Sequence, residues 1–403
     1  MKVLVLDADE RSSLAIVRSL GKRGINVTCL GSSPFSLASL SKYTSQAFVS
    51  PSIVESNVSE FLVHLCYYLR KYHFDLVIPT SDETSTILSK YKGSLENYSK
   101  IAIETWNKYV LTYDKANTWE LCRSLSIPIP RTFLPSKTNS IQEISEIIQY
   151  PALIKPRSKS IFHDNSLKIL KVTSDNYVES KDELLEKFAN FLAQNSFLSE
   201  LDYLPLIQEK VTGIGVGCEV LCKDGKIVAF FQHIRVRSYP RSGGASTVRE
   251  SINEPLLLEY SKKIISELGW TGVAMLEFIK IEDEFFLIEI NGRYWGSLPL
   301  AISSGVDFPY LHIQQTLGEP VTQPPYLKGL KQRWTLPGDI LWLFESLRNG
   351  LLGSITKFIK GFVYRDDIYS IRDFKPTIGA IIKIGKLFVD VILGRRTLFG
   401  EKQ

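Results

Sequence analysis

Three features of the chain predict an α/β and α+β protein in three parts. Short apolar strands alternate with amphipathic helices over residues 2–103, two β-rich runs flank an acidic turn at 273–290, and strongly apolar helices follow a Gln-Pro-Pro linker. Residues 1–110 read as a parallel, Rossmann-like sheet, residues 111–320 as a second, mixed unit, and residues 321–403 as a helical, basic extension.

A length of 403 residues fits two or three domains, and 44% hydrophobic with 23% charged residues is the composition of an ordinary soluble globular protein. The net charge of +5 is too mild to point to nucleic acid. It is unevenly spread: from Lys328 onward there are 14 Lys/Arg against 7 Asp/Glu, so the positive excess belongs to the tail. The five cysteines (Cys29, Cys66, Cys122, Cys218 and Cys222) are scattered and odd in number, which predicts reduced thiols in a cytoplasmic protein. Cys218 and Cys222 share one face of a strand, have no second Cys or His pair nearby, and read as core rather than as a zinc site. The N-terminus, MKVLVLDADERSS, is a strand and a turn without the pattern of a signal peptide.

In chain order, Lys2–Leu6, Val27–Leu30, Ala47–Val49, Leu76–Pro79 and Ile101–Ile103 are strand candidates. Ser13–Lys22 is helical, with Leu14, Val17 and Leu20 on one face, and Val58–Lys71 is a second amphipathic run. The first turn, Asp7–Ser13, holds three acids and no glycine, the reverse of what a dinucleotide pyrophosphate needs. Residues 1–110 therefore read as a substrate-side domain. Pro79–Glu83 follows a strand, where it would meet a ligand or cap the next helix.

Asp114 is the expected N-cap of the helix Ala116–Leu125, and Pro128 and Pro130 hold the chain extended beyond it. Lys115, in the first turn of that helix, opposes the helix dipole; from the residues alone it is a surface lysine before it is one with another task. Lys155 ends a short apolar strand in the run YPALIKP, and the following stretch, Arg157–Ser166, contains no glycine. Leu206–Val211 is an apolar strand ending in polar residues, and Gly213, Gly215 and Gly217 read as a turn into a strand Cys218–Cys222. In the long strand Lys226–Tyr239, His233, Arg235 and Arg237 alternate onto one face, which suits an anionic ligand; an exposed basic face is the plainer alternative. A Gly-Gly loop with hydroxyls, Pro240–Thr247, would bring backbone amides to a carboxylate or acyl phosphate, and the helix Glu254–Leu268 ends at Gly269.

The stretch Val273–Ser297 reads VAMLEFIKIEDEFFLIEINGRYWGS. Val273–Ile281 and Phe285–Ile290 form a hairpin around Glu282-Asp283-Glu284. If Ile281 pairs with Phe285, Glu277 faces Glu289; a two-residue loop would shift that register by one. Val273, Met275, Glu277 and Ile279 would share a face, as would Phe285, Leu287, Glu289 and Asn291. Two facing carboxylates resist desolvation, and a hard cation would resolve the conflict, with Asn291 as a neutral oxygen ligand; an ordinary hairpin with two solvated Glu is the plainer alternative. Arg293 adds a fork-shaped cation beside them. Trp295 would shape an acceptor pocket or pack on the core.

Glu277 followed by Glu289-Ile290-Asn291-Gly292-Arg293 resembles the metal-binding end of the ATP-grasp superfamily, and over roughly residues 1–320 the likeness is to its carboxylate–amine ligases. The resemblance implies a two-lobed ATP-grasp domain that uses ATP and Mg²⁺ or Mn²⁺ to join a small-molecule carboxylate to an amine through an acyl phosphate. It implies that Lys115 and Lys155 bind the nucleotide phosphates. Leu206–Val211 becomes the hinge of the cleft, including Gln208, with Glu209 on the adenine amino group and the backbone of Lys210 and Val211 on its edge. It also implies that Arg235, with His233 beside it, lies near the γ-phosphate, that Glu277, Glu289 and Asn291 hold the metal, and that Arg293 stabilises the acyl phosphate. The glycine-free stretch after Lys155 departs from the family, where a glycine-rich loop covers the phosphates. Arg157, Lys159 and three serines would do so by side chains, or closure would be weak. The second function class is accordingly an ATP-binding module without ligase activity.

In the tail, Asp339–Lys360 and Thr377–Leu393 are apolar helices with interspersed Lys and Arg, too short to span a bilayer. They read as a layer packed on the domains or on a second subunit of a homodimer. Alternatively, they make peripheral contact with an anionic membrane and recruit the enzyme to a lipid- or glycan-linked acid.

Overall fold

The computed structural model describes residues 1–54, 57–136, 138–241 and 243–393; Ser242, one of the hydroxyls of the Gly-Gly loop, lies outside them. Strands β1 (Lys2–Val5), β2 (Asn26–Gly31), β3 (Gln46–Val49), β4 (Leu76–Ile78) and β5 (Lys100–Ile101) form a parallel sheet in the order β3-β2-β1-β4-β5. Successive side chains point to opposite faces, so β1 sorts its residues between two layers. Leu4 packs with Phe61, Leu65 and Leu69 of the helix Val58–Tyr72, while Val3 and Val5 pack with Leu14, Val17 and Leu20 of the helix Arg11–Gly21.

Next come β6 (Thr132–Phe133), β7 (Ala152–Lys155), the ribbon β8 (Ser160–His163) and β9 (Ser166–Ile169), β10 (Tyr177–Val178) and β11 (Leu206–Glu209). Four of them form a small antiparallel sheet, β10-β7-β11-β6, covered by the helices Ile141–Ile147 and Lys181–Gln194. Among the described residues, β8 and β9 pair only with each other. Their turn is Asp164-Asn165, both at left-handed φ (48° and 55°). Asp and Asn tolerate that region better than other side chains, so the turn forms without glycine. The Asn165 carbonyl accepts from Val58 N at 2.9 Å, which pins the ribbon tip to the N-terminal domain.

A larger sheet contains β12 (Ile214–Lys223), β13 (Lys226–Tyr239), β14 (Ala245–Ile252), β15 (Gly272–Ile281), β16 (Glu284–Asn291), β17 (Lys331–Arg333) and β18 (Arg365–Asp366), in the order β16-β15-β12-β13-β14-β17-β18. Gly215 and Gly217 lie inside β12, not in a turn before it. A Cβ on Gly217 would sit 2.5 Å from His233 Cε1, and one on Gly215 would sit 2.7 Å from Arg235 Cδ. These glycines are groove floors over which the two β13 side chains cross.

The tail is not purely helical. Its strands β17 and β18 extend the large sheet, and the expected helix Asp339–Lys360 is two helices, Ile340–Arg348 and Gly353–Lys360, broken where Gly350 takes φ 73°. Buried aspartates of the tail hold it to the body. Asp339 meets Arg237 (2.8 Å) and Arg333 (2.6 Å), Asp367 meets Arg11 (2.7 Å) and Arg249, and Asp373 meets Arg18 (2.8 Å). Periodicity does not reveal such long-range pairs.

Candidate active site

The hairpin β15–β16 closes with Ile281 opposite Glu284, a two-residue loop in which Glu282 has φ 53°. The three-residue loop expected from the sequence does not form. A bulge between Glu277 and Phe278 restores the facing pair, since Phe278 meets Leu287 while Glu277 meets Glu289. The extra residue, Ile288, flips the strand between these positions. Phe285 and Leu287 therefore join Phe278 in the core rather than sharing a face with Glu289.

Asn291 Nδ2 donates to Glu277 Oε1 (3.0 Å) and Glu289 Oε1 (3.3 Å), so one atom stands between the two carboxylates. Its Oδ1 accepts from Lys159 (3.4 Å) and Arg293 (3.2 Å). Protein cations also neutralise the acids. Lys159 Nζ lies 2.7 Å and Lys115 Nζ 3.8 Å from Glu289, and Arg235 pairs with Glu277. Burial disfavours the charged Glu289, yet Lys159 and Lys115 outweigh it and hold the carboxyl well below its ordinary range. Burial likewise opposes the charge on Lys159, and Glu289 overcomes it, raising that ammonium to about 12. The cavity among Lys115, Lys159, Glu289 and Asn291 encloses only about 20 Å³.

Lys155, at the end of β7, donates to Gln208 Oε1 (3.1 Å) and Ile288 O (3.3 Å). Burial, then the neighbouring Lys115, lowers it to about 7. Gln208 also donates to Thr132 (3.0 Å), so it orients Lys155. Lys115 opens its helix behind Asp114, whose side chain accepts from Ala116 N at 3.0 Å, as an N-cap does. Arg157 forks onto that same Asp114, which removes it from the group of cations facing Glu289.

The remaining expected residues separate into two groups. At the end of β11, Glu209 takes Gln149 N (3.1 Å) and Arg131 (3.4 Å), and the Lys210 amide donates to Pro151 O (2.9 Å), leaving that N–H committed; Val211 lies two residues beyond the strand. Along β13, His233, Arg235 and Arg237 do not form one open face: each meets a different acid. His233 is buried, with Nδ1 2.6 Å from the buried Glu219. Arg293 forks onto Asp82 of the N-terminal domain at 2.6 and 2.7 Å. Burial would raise the Asp82 carboxyl, but Arg293 prevails and holds it at about 2. Asp82 was legible only as part of a polar turn; in the fold it sits in the first turn of the helix Asp82–Lys90, behind the N-cap Ser81. Trp295 is core, packed edge-on against Phe308.

The donor set fits a hard cation. Two carboxylates converge on the Asn291 amide, whose Nδ2 stands between them, and among the described residues no group of three His, Cys, Asp or Glu adds a further ligand. Mg²⁺ bound by one or two carboxylates takes its other oxygens from phosphates and water.

Lys155 of the small sheet thus reaches Ile288 O of the large sheet, beside the paired carboxylates. The chain resembles members of the ATP-grasp superfamily. A family model described as ATP-grasp in the biosynthetic pathway with Ter operon matches residues 205–335. The carbamoyl phosphate synthase large chain of Methanospirillum hungatei is 23% identical over 398 residues, 93% of this chain and 35% of that one. The D-alanine–D-alanine ligase of Fusobacterium nucleatum is 23% identical over 195 residues, 45% of this chain and 56% of that one. The chain thus spans 35% and 56% of these two curated relatives. Among solved structures, the biotin carboxylase domain of Hydrogenobacter thermophilus 2-oxoglutarate carboxylase, in complex with MgADP, ADP and bicarbonate, superposes with a TM-score of 0.62. It is 17% identical, with coverage of 80% of this chain and 71% of that one.

Proposed function

We propose that the protein is an ATP- and Mg²⁺-dependent carboxylate–amine ligase. In this reading, a small-molecule carboxylate is phosphorylated by ATP, an amine attacks the acyl phosphate, and an amide, ADP and phosphate leave. The observation that carries it is the convergence of Glu277 and Glu289 on one point, within an arc of lysines. Bound there, Mg²⁺ would offset charge on the transferring phosphoryl group. Glu277, Glu289 and the Asn291 amide oxygen would hold it. Lys115 and Lys155 would hold phosphates, and Lys159 would turn from Glu289 to the triphosphate once a metal carries the carboxylate charge. Arg235 would hold Glu277 by its ion pair and approach the γ-phosphate, with His233 fixed beside it. Glu209, the Lys210 carbonyl and Val211 would meet the adenine, and Gln208 would aim Lys155. Arg293, anchored on Asp82, Tyr294 O and Asn291, would support the acyl phosphate through its one remaining N–H.

The test is phosphate release by the full chain against a panel of carboxylic acids, amino acids and amines. Stimulation by one acid–amine pair is expected, together with loss of turnover in Glu289→Ala; Glu289→Ala turning over ATP at the parent rate removes the metal assignment. The glycine-free ribbon and the small enclosed volume favour a second reading, an ATP-binding module without ligase activity. Acceptor-independent ATPase that no pair stimulates would select it. No helix among the described residues is long and apolar enough to cross a membrane. Peripheral contact is supported by exposed apolar side chains of the tail such as Leu352, Phe362, Val363 and Ile371, and co-sedimentation with anionic vesicles tests it.

A further inference from the structure

A second cavity, of about 500 Å³, lies between β13 and the two tail helices Ile340–Arg348 and Gly353–Lys360. Cations from three separate segments line it: Arg235 and Arg237 of β13, Arg241 of the Gly-Gly loop, and Lys357 and Lys360 of the tail. Trp342 and Tyr364 supply apolar wall. Two of the five cations are already neutralised, Arg235 by Glu277 and Arg237 by Asp339. Among the described residues, Arg241 donates its guanidinium only to the Ser346 hydroxyl (3.3 Å), although its amide also faces Glu345 (3.1 Å). Among the described residues, Lys357 and Lys360 make no ion pair, and they are three apart on one helix, which brings them to one face. Like charges gathered round a concave space repel one another, and an anion between them removes the repulsion.

Arg235 ties the two sites together, because it lines this cavity and grips a carboxylate of the hairpin at its other side. Resting on the ligase reading above, we propose that this cavity holds the acid substrate and that the substrate is polyanionic. Its reacting carboxylate lies toward Arg235, and a further carboxylate or phosphate lies among Arg241, Lys357 and Lys360. A simple monocarboxylate would leave those three charges unanswered. The volume suits a small metabolite rather than a polymer.

Citrate and 3-phosphoglycerate separate the two anionic groups, acetate serves as the monoanion, and calorimetric titration of the full chain reads binding without any turnover. The proposal expects citrate or 3-phosphoglycerate to bind and acetate to fail. It expects Lys357→Gln/Lys360→Gln to weaken the bound probe roughly tenfold or more, since charge-assisted contacts are lost, while ATP affinity keeps its parent value. Arg241→Gln provides a second variant on a different element. Absence of binding by every polyanion, or equal binding by parent and both variants, overturns the proposal even where ATP binds. Polyanion binding in a protein that fails to bind ATP would instead remove the ligase reading and leave the anion site standing.

Discussion

Lys155 is held by two neutral oxygens, Gln208 Oε1 and Ile288 O, in a setting too buried to favour its charge. Its ammonium titrates near 7 instead of the ordinary 10.5. Between those values the folded chain binds fewer protons than the unfolded chain, so this group makes stability rise with pH across that window. Triphosphate brought beside it would favour the charged form again. ATP binding is therefore expected to take up close to one proton near pH 8.5 and almost none below pH 6. Calorimetry in buffers of different ionisation enthalpy measures this, and Lys155→Met should abolish both the uptake and tight ATP binding without unfolding the protein. Uptake that survives in Lys155→Met would assign the proton elsewhere. Asp82 behaves in the opposite sense, since its carboxyl is depressed from 3.8 to about 2 by Arg293. Its contribution is complete above its ordinary value and fades as pH falls toward 2. Asp82→Asn should lower stability at neutral pH, by about 1–3 kcal/mol after the loss of a bidentate charged contact, and bring the stability of the variant and the parent together in acid.

At the scale of single elements, β12 works through what it lacks. Its Gly217 leaves room for the His233 ring, and Glu219 two residues on meets that ring's nitrogen, so the strand fixes the residue beside Glu277. Gly217→Ala forces a methyl group to within 2.5 Å of the ring and should cost about 1–3 kcal/mol as overpacking does. A denaturant titration measures that loss; a stability equal to the parent's would show that the ring has room to move. The same strand marks the boundary of what the residues disclose. The parallel sheet, the helix behind Asp114 and the paired glutamates were legible, because each rests on local periodicity or a short motif. The glycines of β12 looked like turn formers, because nothing local records a side chain crossing from a neighbouring strand. In the hairpin, the facing of Glu277 and Glu289 was read correctly from a loop length that does not occur; the bulge at Ile288 supplies the compensation. The Asp82–Arg293 pair, 211 positions apart, and the Lys357–Lys360 cavity wall depend on tertiary placement alone.

For the molecule as a whole, the tail behaves as a brace. Asp367 joins three regions, receiving Arg11 from the N-terminal domain, Arg249 from β14 and Gln332 from β17, and its side chain is fully buried, as is that of Arg249. Asp373 does the same between Arg18, Ser41 and the tail helix Lys375–Ile392 that follows it. Removal of one member of a buried pair leaves the other charge without water or partner, at a typical cost of about 3–5 kcal/mol. Asp367→Ala strands Arg249 and frees Arg11 together, so it should reach that range and lower the unfolding midpoint of the N-terminal sheet and the large sheet in one transition. Deletion of residues 331–403 should be more severe, since it uncovers Arg237 and Arg249 as well as the edge of β14. Chemical denaturation followed by both tryptophan fluorescence and far-ultraviolet circular dichroism distinguishes the outcomes. Coincident transitions shifted together identify a brace that couples the parts, whereas a loss under 1 kcal/mol, or two separated transitions in the parent, would show that the N-terminal sheet folds independently of the tail.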